Sequence, residues 1–249
     1  MIHRVNLTSA IDKYHLSGMN EAVIWDIKDN VLTVKFTSPN KEMLGYIKYS
    51  GFPLEDSKIG ISNTSQLNKL IEIAGGALDL KYLKHKNIPH KLIISDKSFT
   101  LNYSLADLMV IPKPGDVIGD IQFDIKAPLD SESISSIVKA KKAVGENDVV
   151  VIKPSTSADD EFIIELEFGG NVEHANKVSF YLSNIESNIP EDTQFKVQYN
   201  SEMIKEIMSA NKNMESGYMS ISLKGVMKLE FYSGDETLES VYYLVARES

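Results

Sequence analysis

The chain writes one pattern four times: a short apolar strand, a short amphipathic helix, then three alternating strands. The second half is the most legible. A strand over 121–126 leads into a helix over 130–144, with strands over 149–153, 162–168 and 178–182 behind it. The pattern restarts with a strand over 195–199, a helix over 201–210, and strands over 219–224, 227–232 and 240–246. Self-similarity of this order restricts the fold more than any local propensity does. It points to a symmetric α+β scaffold rather than to one catalytic crevice.

The first half carries the same pattern with more decoration. A strand over 4–7 precedes a helix over 8–15, where Leu7, Ala10, Ile11 and Tyr14 recur at helical spacing. Strands over 22–28 and 31–37 flank Lys28-Asp29-Asn30, residues that tolerate a left-handed turn. Strands over 44–49 and 58–61 follow, then a helix over 63–74 with Leu67, Leu70, Ile71 and Ala74 on one face, stopped by Gly75-Gly76. Strands over 78–83, 91–95 and 99–103 close the half, and the basic stretch 84–90 reads as a loop.

Between the halves, Pro112-Lys113-Pro114-Gly115-Asp116 restricts φ and removes two backbone donors. The division is therefore a first domain over 1–111 and a second over 116–249. Residues 104–115 form an extended connector, or alternatively the last strand of the first domain. With 249 residues, two ordinary domains fit.

Bulk properties narrow the functional classes. The chain lacks cysteine, which excludes disulfides, thiolate metal sites and a cysteine nucleophile. No apolar run approaches the roughly 20 residues of a membrane span, and Met1-Ile2-His3-Arg4-Val5-Asn6 lacks the apolar core of a secretion signal. A soluble, cytoplasmic protein with no membrane partner is expected. The formal charge of −9 is unevenly spread. The helix over 130–144 ends in Lys139-Ala140-Lys141-Lys142, whereas acids gather in 157–167, 185–192 and 235–239. That basic last turn also complements the helix dipole, so both readings stand.

Catalytic motifs are not evident. The five histidines show no metal-ligand spacing: His85 and His90 share one basic loop, and His3, His15 and His174 stand apart. There is no Gly-x-Ser-x-Gly elbow or P-loop, and Gly75-Gly76 and Gly169-Gly170 lack what a phosphate cradle needs. Asp159-Asp160-Glu161 reads as a solvated hairpin loop, and Met203, Met208, Met214, Met219 and Met227 read as core filler. No catalytic residue, metal ligand or cofactor is predicted.

Several segments resemble DNA sliding clamps of the proliferating-cell-nuclear-antigen superfamily. Asn63-Thr64-Ser65-Gln66-Leu67-Asn68-Lys69-Leu70-Ile71-Glu72-Ile73-Ala74-Gly75 looks like their second helix, and Asn20-Glu21-Ala22-Val23-Ile24-Trp25-Asp26-Ile27 like the strand after their first. Tyr199-Asn200-Ser201-Glu202-Met203-Ile204-Lys205-Glu206-Ile207 is similar to the tyrosine-led fourth helix. Val241-Tyr242-Tyr243-Leu244-Val245-Ala246-Arg247 resembles the closing strand. The length, and the ending Ala246-Arg247-Glu248-Ser249 in place of Ala-Pro, look closer to tailed-phage clamps. The resemblance covers nearly the whole chain.

It implies the sliding-clamp fold: two similar domains, each of duplicated β-α-β-β-β units, with helices lining a hole and sheets outside. It further implies a non-enzymatic homotrimeric ring that encircles double-stranded DNA without sequence preference and tethers a DNA polymerase after a clamp loader has placed it. If viral, it works in the host cytoplasm. On the helical wheel Lys139 opposes Ile134, Ile137, Val138 and Val144, and Lys142 lies toward the edge, so these two are the leading DNA-facing residues. Lys69, Lys13, Lys205 and Lys212 follow, while Lys141 falls on the apolar side and must snorkel. The partner-peptide pocket is expected at Leu105, Leu108, Val110, Ile111 and Pro112 of the connector with Leu244, Val245 and Ala246 of the tail. The subunit interface is expected at Phe99, Leu101, Tyr103, Val178, Phe180 and Leu182. A β-rich phage assembly ring that surrounds something other than DNA, and an enzyme on a duplicated scaffold, are the alternatives.

Overall fold

The computed structural model describes residues 1–115, 120–169, 176–190 and 193–247. They fall into two compact units, Met1–Asp116 with Asp235–Ser240, and Val117–Gly234 with Val241–Ser249.

The first unit runs β1 (Ile2–His3), α1 (Arg4–His15), β2 (Val23–Lys28), β3 (Val31–Thr37), β4 (Met43–Ser50), β5 (Ser57–Ile61), α2 (Thr64–Ile73), β6 (Ala77–His85), β7 (Ile88–Ser95) and β8 (Thr100–Ser104). Its strands pair in the orders β4-β3-β2-β5 and β1-β6-β7-β8. The pairings are antiparallel. Inward positions alternate with outward ones, as in β3, where Leu32, Val34 and Phe36 are buried. The two helices pack on each other and against the strands, α1 on β3 and β4 and α2 on β8. Trp25 of β2 is fully buried and donates through Nε1 to the hydroxyl of Tyr14 on α1 at 3.1 Å.

The second unit repeats the plan: β9 (Ile125–Leu129), α3 (Ser131–Ala143), β10 (Val149–Thr156), β11 (Phe162–Phe168), β12 (Val178–Leu182), β13 (Glu186–Ser187), β14 (Val197–Asn200), α4 (Ser201–Asn211), β15 (Ser216–Ser222), β16 (Val226–Tyr232) and β17 (Leu238–Val245). Its strands pair as β12-β11-β10-β14 and β13-β9-β15-β16-β17. Helices α3 and α4 pack together, α3 on β9 and β12 and α4 on β10. Each is started by a side chain: Asp130 accepts from the Ser133 N–H at 2.7 Å, and Asn200 accepts from Glu202 and Met203 at 3.1 Å. The methionines predicted as filler are buried here, with Met208, Met219 and Met227 fully enclosed.

Four local expectations change. The leading strand of the first half is only Ile2–His3, because the Arg4 N–H turns to the Gly76 carbonyl at 2.8 Å and the helix starts there. The stretch 84–90 is not a loop: β6 and β7 continue to a two-residue turn, with Lys86 and Asn87 at φ 49° and 65°. The strand before α3 begins at Ile125 rather than 121 and runs through Pro128. There β9 pairs with β15, while β13 reaches only Lys126 and Ile125, so the lost proline donor has no partner to miss. Residues 235–240 group with the first unit rather than the second half, where Ser50 donates to the Thr237 carbonyl at 2.8 Å. Asp116, Gly170, His174, Glu248 and Ser249 lie outside the described residues.

Candidate nucleic-acid face, partner groove and sheet edges

Helix α3 sorts its side chains as the wheel requires. Ile134 and Ile137 are buried, and Ser135, Lys139, Lys142 and Ala143 are exposed. Lys141 lies on the buried side, and its ammonium curls back to donate to the Gly145 carbonyl at 2.6 Å and to pair with Glu202 at 3.4 Å. It thereby satisfies a carbonyl beyond the helix end. Lys69 on α2 and Lys212 at the end of α4 are also exposed.

Two lysines expected to face DNA are not exposed. Lys13 is fully buried, its Nζ 3.0 Å from the Ser9 hydroxyl, and burial pushes its pKa down to about 8. The wheel puts it beside the apolar stripe, but α1 packs against both the sheet and α2, so the flank of the stripe is covered as well. Lys205 is half-buried and held by Glu202 and by Glu206 at 2.7 Å. Burial acts against its charge, but the bonds to the two carboxylates outweigh it and raise its pKa. Its charge is spent within α4.

The connector lies along the first unit. Gly60 of β5 makes this approach possible: a Cβ there would sit 2.6 Å from the Ala106 carbonyl oxygen and 3.1 Å from Ile111. The Ala106 N–H donates to the Gly60 carbonyl at 2.9 Å, forming an isolated bridge. Two adjoining hollows open beside it. One, of about 360 Å³, is lined by Ile24, Asp26, Thr33, Lys35, Lys58, Leu108, Pro112, Lys113 and Pro114. The other, of about 350 Å³, shares Lys35, Pro112 and Pro114 and extends to Phe36, Thr37 and Pro39.

Of the expected pocket residues, Leu108 and Pro112 line this groove, Leu105 is half-buried, and Val110 is 72% exposed. Ile111 is a correction: it is buried against Gly60 of β5 and serves its own unit. In the second unit Leu244 is buried, Ala246 is half-buried with its N–H on the Gly225 carbonyl, and Val245 is exposed. The strand residues Ile24, Asp26, Thr33 and Lys35 were missed by the sequence reading. Their outward phase on alternating strands was the available signal.

The strands expected to join subunits are the terminal strands of their sheets: β8 follows β7, and β12 follows β11. Their side chains need correction. Leu101, Tyr103 and Leu182 point into their own cores, and the Tyr103 hydroxyl bonds Asn63. Phe99 precedes β8 and is half-buried, as are Val178 and Phe180.

Among the described residues no cluster of three or more metal-binding side chains occurs, and no helix is long and apolar enough to cross a membrane. His15, Ser65 and Glu21 meet, but Ser65 Oγ and Glu21 Oε1 both lie on the same ring nitrogen of His15, at 3.0 and 3.1 Å. A nucleophile relay needs serine and acid on opposite nitrogens, so this trio is a clasp between α1 and the start of α2.

The backbone settles the architecture. Its arrangement matches proliferating cellular nuclear antigen from Entamoeba histolytica with a TM-score of 0.76 and 17% identity, over 99% of this chain and 96% of that one. It matches a chain of the PCNA2–PCNA3 complex from Sulfolobus tokodaii with a TM-score of 0.73 and 11% identity, over 96% of each. The fold is that of the sliding clamps. No protein-family model and no curated protein matches the sequence. The fourfold repeat of the sequence is the shared plan of the two units.

Proposed function

We propose that the protein is a DNA sliding clamp: a non-enzymatic homotrimeric ring that encircles duplex DNA and gives a replicative polymerase its processivity. The observation that carries this reading is the end-to-end likeness to clamp structures, over 99% of the chain. Exposed Lys139 and Lys142 on α3, with Lys69 and Lys212, supply the phosphate-facing charge. Few and solvated, they attract the backbone in a salt-dependent, sequence-independent way that permits sliding.

The ring closes by pairing the free edges of β8 and β12 from neighbouring subunits, which removes two exposed edges at once. Backbone bonds, with half-buried Phe99, Val178 and Phe180 beside them, form the joint. Polymerase and clamp loader dock a short segment in the connector groove, with an apolar side chain against Leu108 and Pro112. Within that reading we place it with the tailed-phage kind, working in the host cytoplasm. Light scattering tests the ring: the account expects about 83 kDa, three times the 27.8 kDa chain. A monomer at high concentration, with no stimulation of its polymerase on primed DNA, would remove the reading.

A further inference from the structure

The two hollows beside the connector do not share the charge of the chain that forms them. Their linings hold four lysines, Lys35, Lys41, Lys58 and Lys113, against two acids, Glu21 and Asp26. The whole chain carries a formal charge of −9. Both acids are already engaged. Asp26 pairs with Lys58, its register partner on β5, at 2.7 Å, and Glu21 accepts from the Ser65 N–H at the start of α2 at 2.9 Å. The connector's own acid, Asp107, accepts from the Met109 N–H at 2.8 Å and lines neither hollow. Lys41 and Lys113 are exposed, one in each hollow, and neither has an ion pair among the described residues.

A surface lysine is ordinary by itself. These two rim an apolar concavity. Ile24, Leu108, Pro112 and Pro114 line the hollow that holds Lys113, and both prolines recur in the hollow that holds Lys41. Such a rim acts on the choice of partner more than on raw affinity. Opposite charge speeds encounter and fixes register, whereas like charge set against it costs binding. A segment with basic residues beside its apolar anchor would meet that penalty here.

We propose that the connector groove selects an acidic segment, in which carboxylates flank the apolar anchor and reach Lys113 and Lys41. The inference rests on the reading that a partner docks in this groove, and it adds the chemistry that the partner must carry. The groove lies wholly within the first unit, so its selectivity belongs to the single chain.

The test is fluorescence anisotropy of the full chain with four probes. Three are short peptides that share a pair of leucines, flanked by glutamates, by serines or by lysines, and the fourth is duplex DNA. The glutamate peptide should bind tightest of the three and the lysine peptide weakest. Lys41→Glu with Lys113→Glu should weaken the glutamate peptide about tenfold, the equivalent of ~1.4 kcal/mol, and reverse the order of the three. Both side chains are solvated, so circular dichroism should not change. Leu108→Ser should weaken all three peptides alike. If the lysine peptide binds as well as the glutamate peptide and Leu108→Ser weakens both, docking stands and the acidic partner is overturned. If no peptide binds, or none responds to Leu108→Ser, the docking reading fails and takes the proposal with it. Duplex DNA binding that disappears on charge reversal, while peptide binding persists, overturns the proposal by giving these lysines to phosphate.

Discussion

Replacing Lys13 by methionine should make the protein more stable at neutral pH. The ammonium is fully enclosed in α1, and its pKa falls from 10.5 to about 8, chiefly through burial. At ~1.4 kcal/mol per pKa unit, holding the charge in place costs about 3 kcal/mol. Methionine keeps the length and apolar stem but removes the charge. It also loses the bond to the Ser9 hydroxyl, worth ~1 kcal/mol, so Lys13→Met should gain about 2 kcal/mol at pH 7.

The pH profile carries the diagnostic sign. A lysine whose folded pKa is lowered binds fewer protons in the folded state than in the unfolded one. Wild-type stability must therefore rise with pH between about 8 and 10.5. The methionine variant lacks that rise, so its advantage should vanish and reverse slightly by the top of the window. Urea unfolding of both proteins across that range measures the difference. A variant less stable than wild type at pH 7, with a parallel pH profile, would refute the reasoning and show that the buried charge is fully compensated. DNA retention should not change, because Lys13 does not reach solvent.

Reversing Lys139 and Lys142 to glutamate should leave the melting temperature intact and weaken retention on DNA. The log–log salt dependence should flatten by about one unit for each phosphate no longer neutralised, and an unchanged slope would remove these residues from the DNA face. Val110→Asp should abolish polymerase stimulation in a stable, assembled ring, whereas Ile111→Asp places a charge in the core and should destabilise the first unit by several kcal/mol; denaturation and processivity assays on the pair separate docking from packing. Phe180→Asp should lower the light-scattering mass from trimer to monomer if β12 closes the ring, and an undisturbed trimer would move the joint elsewhere.

The fold was legible because the repeat is periodic at two scales. The strands over 31–37, 162–168 and 178–182 match the observed bounds; 31–37 and 178–182 alternate, and 162–168 does so from Ile164 onward. The Lys28-Asp29-Asn30 turn was readable from its left-handed pair, Asp29 and Asn30. The hairpin tip was not, because Lys86 adopts a positive φ that its residue type does not announce. Site residues were harder. A helical wheel places Lys139 correctly because α3 leaves that side open to solvent, but it cannot know that α1 is covered on its flank at Lys13. Nor can it show that Lys205 is shared by Glu202, one turn before it, and by Glu206, its neighbour. Strand alternation likewise gives inward or outward but not which neighbour arrives, which is why Leu101 and Tyr103 read as joint residues and turned out to be core. Gly60 was silent in the sequence, since its need arises only from a connector distant in the chain.

Retention on circular against linear DNA tests the central claim most directly. Loaded by its own loader onto a nicked circle, the protein should stay bound in high salt, then be lost within moments once a restriction enzyme opens the circle and provides ends to slide from. Equal retention on circular and linear DNA, or release from both as salt rises, would mean that it binds the duplex from outside and does not encircle it.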